Sequence, residues 1–172
     1  MEPINDVFKR ARELRTSRRN KEAIKLLQSV LRPDENEWKV CKELGHIMID
    51  IGDIKESVRY FERAANSNPE SSELWNNLGY AKKEKGDLKG AIHATRKAKS
   101  LAKDANDVNA ANYNLACYFA LSGKKESALE HLENACIGDA AIKEWAKEDT
   151  DLDSLRLDPR FKTILNPSSR DY

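Results

Sequence analysis

Trp75-Asn76-Asn77-Leu78-Gly79-Tyr80-Ala81-Lys82-Lys83-Glu84-Lys85-Gly86-Asp87 reads as one helix running into one turn. Gly86 can take the left-handed conformation that ends a helix, and Asp87 can then accept the orphan amides that open the next. The same punctuation recurs at Ile51-Gly52-Asp53 and Ser122-Gly123-Lys124, so the turn glycines fall 34 and then 37 residues apart. A period in that range marks a stacked array, here of antiparallel helix hairpins.

Working outward, a small residue stands seven positions before each turn glycine, at Gly45, Gly79 and Ala116, preceded by Leu44, Leu78 and Leu115. Small beside large lets two helices approach closely. Past the turn, the second helix offers Ser57, Ala91 or Ala128, then Phe61, Thr95 or Leu132, then Ala64, Ala98 or Ala135. Steps of four and three lie on one helical face. Pro69, which lacks an amide proton, closes the first of these units.

These residues resemble the tetratricopeptide repeat family, whose Trp-x-x-Leu-Gly-x-x-Tyr, Ala-x-x-x-Phe-x-x-Ala and final Pro pattern is matched best from Cys41 to Pro69 and from Trp75 to Ala98. Lys82 and Thr95 depart from the pattern where it has aromatics, and a three-residue extension is expected in the second helix that runs from Ala91 to Lys103. The resemblance implies an all-α, right-handed solenoid. Counting back 34 residues from Ser57 reaches Ala23, with Ala11 at the small position and Leu27 and Val30 on the buried face, which adds a degenerate first copy. No glycine marks its turn; Asn20 is expected to cap its second helix.

The expected organisation is four hairpins, over about 4–33, 38–69, 72–104 and 109–138, forming an array from 4 to 138. A C-terminal helical cap over 139–165 then covers the open end, because each hairpin buries one side only against its neighbour. Leu152, Leu155, Leu157, Phe161, Ile164 and Leu165 supply its apolar face, and Asp158-Pro159 opens a helix. Residues 166–172 are expected to form a flexible tail.

The 172 residues include 30 basic and 29 acidic side chains, for a formal charge of +1, so bulk charge nominates no partner. Cys41, Cys117 and Cys136 form no C-x-x-C pair, and His46, His93 and His131 belong to no ligand cluster, so no metal and no cofactor are expected. No nucleophile elbow, phosphate loop or zinc-protease helix is present, which argues against an enzyme. The N-terminal residues carry no charged-then-apolar signal, and no run approaches the roughly 18 apolar residues of a membrane span, so a soluble, cytoplasmic protein is expected.

In the family, first helices line a concave groove. Carried over residue by residue, the resemblance places Asn77 and Asn114 two positions before Gly79 and Ala116, like the asparagine ladder that holds a peptide backbone in some members. Asn76, Tyr80 and Tyr113 adjoin them, and Phe8, Lys9, Arg12, Lys39, Lys42 and His46 fall on the same side of the first two hairpins. The partner this implies is an extended, somewhat acidic protein segment. The chaperone carboxylate clamp is not matched, since His46 stands where that pattern has asparagine and Ala110 and Asn114 replace its last basic pair.

Charge is uneven along the chain. Residues 1–33 hold nine basic and four acidic side chains, and residues 139–158 three and seven. That dipole leaves two alternatives open: homo-oligomeric assembly, with Leu165–Tyr172 as a free peptide, and nucleic-acid or acidic-surface binding through the basic first hairpin.

Overall fold

A computed structural model describes residues 3–166. Gly52, Gly86 and Gly123 have φ of +81°, +84° and +73°, the left-handed geometry that lets the chain reverse within two residues. Asp53 and Asp87 accept the amides of Glu56 and Gly90 at 3.2 and 2.9 Å, capping the helices that follow. Asp53→Ala is therefore expected to cost roughly 0.5–2 kcal/mol, read as a lower thermal midpoint at unchanged helicity.

Eight helices form four hairpins, the last three across these glycine turns: α1 (Ile4–Thr16) with α2 (Asn20–Val30), α3 (Glu37–Asp50) with α4 (Ile54–Ser67), α5 (Ser72–Glu84) with α6 (Leu88–Leu101), and α7 (Ala105–Leu121) with α8 (Lys125–Gly138). Each second helix also packs on the next first helix, which makes the array an all-α solenoid. The buried stripe runs the length of the array, from Phe8, Leu27 and Leu44 through Phe61 and Leu78 to Leu115, Leu129 and Leu132.

The first reversal is made without glycine, as expected, because Arg18 itself adopts φ 58°. Two local expectations need correction. Asn20 does not cap α2. The cap position is Arg19, and Asn20, the first helical residue, has a buried Oδ1 with no partner among the described residues. The extra three residues do not lengthen α6, which has 14 residues like α4 and α8; they lengthen α7 to 17.

The departures at Thr95 and Lys82 have physical replacements. Thr95 is fully buried beneath Gly79, and Tyr118 from α7 fills the neighbouring space with its hydroxyl directed at Thr95, although neither hydroxyl reaches hydrogen-bonding geometry. Lys82 Nζ bonds Glu62 Oε1 at 2.8 Å and ties α5 to α4.

Beyond Gly138 come α9 (Ala141–Glu148), a 3-10 helix (Thr150–Leu155) and α10 (Pro159–Leu165). Ile142, Ala146, Leu152, Leu155, Phe161, Ile164 and Leu165 join one core with α7 and α8. Asp158 caps α10 by accepting from the Arg160 amide at 2.8 Å. Leu157 does not join this core; it is 89% exposed, because it sits in the turn after the 3-10 helix instead of on a continuous helical face. Of the tail expected over 166–172, everything from 167 on lies outside the described residues. No helix among the described residues is long and apolar enough to cross a membrane.

Candidate functional site

Contacts that reach from one first helix to the next define the face opposite the second helices. Arg12 bonds Glu43 at 2.9 Å, Arg15 grips Asp50 at 2.5 and 3.1 Å, and Lys42 meets Glu73 at 3.0 Å. Farther along, Asn114 Nδ2 donates to Asn76 Oδ1 at 3.0 Å, and the Tyr113 hydroxyl donates to Asp149 at 2.6 Å. All of these residues sit on α1, α3, α5 and α7 except Asp149, which lies in the cap between α9 and the 3-10 helix, so they form one row running the length of the array.

The structure sorts the residues expected in a groove. Asn76 and Asn114 are half-buried and bonded, whereas Asn77 does not pair with Asn114; its Nδ2 is shielded and has no partner among the described residues. Tyr80 is 42% exposed, with the Lys83 ammonium 5.1 Å from its ring centre. Tyr113 has lost its free polar tip to Asp149. Phe8 belongs to the core of the first hairpin at 6% exposure, packed with Ala11, Leu27 and Leu44, and cannot serve as a groove contact.

The basic N-terminal end is also more neutral than its sequence. The hydrogen bond between Arg15 and Asp50 lifts the guanidinium above its usual value and lowers the carboxylate below its own. Glu43 and Glu73 form ion pairs with Arg12 and Lys42 at 2.9 and 3.0 Å. Lys9 and Lys39 have no carboxylate partner among the described residues; Lys39 lies 5.4 Å from the Trp38 ring centre and 3.4 Å from Asn36 Oδ1. His46 stands at the middle of this end, edge-on to Phe61 at 5.1 Å. Burial first, then Arg15, hold its pKa below the ordinary imidazole value, so it faces the row as a neutral ring that can both donate and accept.

Arg15, Glu43, Asp50 and Glu73 are members of the row that sequence reasoning missed. Their signal was present as opposite charges separated by nearly one repeat, 31, 35 and 31 residues. Repeats laid over one another pair residues at a single offset, whereas superhelical stacking brings unequal offsets together.

At the cap, Cys117, Asp149 and Asp151 offer ligand atoms within 4.8 Å of one another, the one grouping among the described residues that could hold a cation. Its oxygens already have partners: Tyr113 donates to Asp149, and the Lys83 ammonium lies 3.1 Å from Asp151. Burial, with Asp149 and Asp151 beside it, pushes the Cys117 thiol well above its usual range and leaves it protonated, a poor metal ligand. Lys83, despite its own burial, is held charged by Glu84 and Asp151. The cluster acts as a latch between cap and array.

Family models of the tetratricopeptide repeat match residues 39–71 and 60–93. No curated protein sequence matches the chain. Among solved structures, a crystal structure of MamA is 22% identical over 90% of this chain and 92% of its own, with a TM-score of 0.68. MamA from Desulfovibrio magneticus RS-1 is 17% identical, covering 78% and 75%, at 0.67. YrrB, described as a TPR protein with an unusual peptide-binding site, is 16% identical, covering 95% and 86%, at 0.65. At these identities the likeness shows the fold.

Proposed function

Because this is a tetratricopeptide repeat protein, and such repeats serve as protein-interaction scaffolds whose stacking creates extended concave surfaces, we propose that it works without catalysis as an adaptor that holds an extended protein segment along the row of first helices. The observation that carries this reading is the Asn76–Asn114 pair. Asn114 Nδ2 is bonded to Asn76 Oδ1, which leaves the Asn76 amine as a donor and the Asn114 carbonyl as an acceptor. A peptide backbone needs one of each. Tyr80 adds exposed aromatic area beside the pair, and Lys9, Lys39 and the 63% exposed side chain of Arg12 favour acidic residues at the far end of the segment. YrrB supplies a precedent for peptide binding on this fold.

The test is Asn76→Ala with Asn114→Ala. Removing both partners together leaves neither amide unsatisfied, so helicity and melting should hold. Two lost hydrogen bonds at about 1 kcal/mol each weaken a bound segment roughly 30-fold. Proteins retained from the source lysate by the wild type, once identified, are titrated against both forms. Equal affinity for the two would remove the Asn76–Asn114 row as the binding face.

Self-association is a second reading, favoured by the apolar side chains left bare near the C-terminal end, where Ile137, Trp145 and Leu157 are 80%, 60% and 89% exposed. They adjoin an acidic cap, while the first hairpin is basic. Light scattering at low and high salt decides it: a dimer or chain that dissociates with salt supports head-to-tail stacking, and a monomer at high concentration removes it.

A further inference from the structure

Helix α6 carries Lys89, His93, Arg96, Lys97 and Lys99, Lys103 follows just past its end, and it contains no acidic residue. The neighbouring second helices are balanced. On α4, Arg59 sits on Glu56 at 2.7 Å and Arg63 on Glu37 at 2.5 Å, and α8 has three glutamates against Lys125. The α6 cations have no carboxylate partner among the described residues.

Their placement works against the helix that bears them. Ala91, Ala94, Thr95 and Ala98 make the buried stripe, so Lys89 and Arg96, seven residues apart and both exposed, share the opposite side. Lys89 occupies the first turn, where the helix dipole disfavours a cation; the one acid at that end is the cap Asp87, which is engaged with the Gly90 amide. Arg96 and Lys99 set like charges three residues apart. The patch widens onto the next hairpin: Arg96 and Lys124 lie 5.5 and 5.9 Å from the centre of the Phe119 ring, on which His131 stacks at 5.4 Å. Burial first, then Lys99, keep His131 below its ordinary pKa, as expected beside a positive surface. Such crowding is not required by packing, and it marks the convex side, away from the row of first helices.

We propose that this convex strip along α6 is a second docking surface, one that takes an extended, Glu/Asp-rich protein segment and is independent of the first-helix row. Seven helical residues separate Lys89 from Arg96 by about 10.5 Å, close to one turn of a polyproline-II segment, three residues at about 3.1 Å each, so carboxylates at every third position share one face and meet successive cations. Nucleic acid fits less well. The phenyl ring among the cations, Phe119, is buried and offers no stacking platform, which leaves the imidazole of His93 as the exposed ring on α6. A lipid surface would want exposed apolar side chains among the cations, and Ile92 of α6 is half-buried.

A fluorescein-labelled peptide of four Glu-Gly-Gly units is the probe, read by anisotropy against wild type, Lys89→Glu/Arg96→Glu/Lys103→Glu, and Asn76→Ala/Asn114→Ala. The expected result is salt-sensitive binding to wild type, weakened about tenfold or more by the triple reversal and unchanged by the asparagine variant. Should the reversal reduce helicity through Arg96, Lys89→Gln/Lys103→Gln takes its place, with a loss of about threefold expected. Peptide binding that survives these changes, or that is lost in the asparagine variant instead, overturns the proposal. So does preferential capture, through the same lysines, of a thymidine oligonucleotide or of phosphatidylserine vesicles.

Discussion

Gly79→Leu is expected to lower the thermal midpoint by roughly 6–12 °C, from a cost of about 3 kcal/mol at about 2–4 °C per kcal/mol for a chain of this size. The reason is that α5 and α6 touch backbone to backbone at this point. Even a Cβ on Gly79 would collide with Thr95 Oγ1 and stand 3.2 Å from the Ala91 carbonyl oxygen. The second contact cannot be relieved by a rotamer change. Gly45 makes a useful contrast, since the atoms nearest its Cβ would be those of the Phe61 ring, at 2.8 Å, and a ring edge can shift. Gly45→Ala is accordingly the milder change. A double-mutant cycle sharpens the test: Thr95→Ala should recover part of the loss caused by Gly79→Ala, because it removes the side-chain collision but leaves the carbonyl in place. A Gly79→Leu protein that melts like the wild type would mean that these two helices are not in close contact.

The period of the fold was legible because three of its four reversals use a conformation that glycine takes at little cost, so Gly52, Gly86 and Gly123 stand out in the chain. The first reversal was not, because Arg18 adopts the same conformation and no residue type announces it. Asn20 has the chemistry of a cap, yet backbone geometry rather than residue type decides which position lies at the helix start. The cap was legible as apolar residues at helical spacing, and Leu157 misled because the periodicity argument supposes one helix where the chain forms three short ones.

The candidate site was legible by type and not by pairing. Asn114 matches Asn77 when repeats are laid over one another, but it bonds Asn76, one position earlier on α5. The charged pairs repeat the lesson. Phe8, Lys42, Asn76 and Tyr113 occupy one register position, and in the first hairpin the apolar side chain found there, Phe8, is buried in the core. The α6 strip was missed for a different reason: a net charge of +1 averages over a helix with no acid in it.

Ending the chain after Asp139 is expected to destabilise the array by several kcal/mol and lower its midpoint by about 10 °C or more, with exposure of apolar surface detected by dye binding. Besides its packing against α6 and α8, α7 is covered by the 3-10 helix of the cap, and its Ala111, Leu115, Cys117, Tyr118, Phe119 and Ala120 are all buried. Leu152, Leu155 and Phe161, each almost fully buried, would leave with it. Burial of such a side chain contributes roughly 1.5–3 kcal/mol, from which the entropy of ordering the cap must be subtracted, so the net effect is smaller than the sum. In a solenoid the loss of an end propagates to its neighbour, and the fourth hairpin should fray first. Two further variants separate apolar packing from the polar latch. Leu155→Asp in the whole chain should approach the truncation, because it buries an unpaired carboxylate in the same core. Lys83→Ala, which removes the ammonium held by Glu84 and Asp151, should cost only about 1 kcal/mol. The reverse ranking, with Lys83→Ala the more damaging of the two, would make the cap an electrostatic clasp in place of a hydrophobic lid.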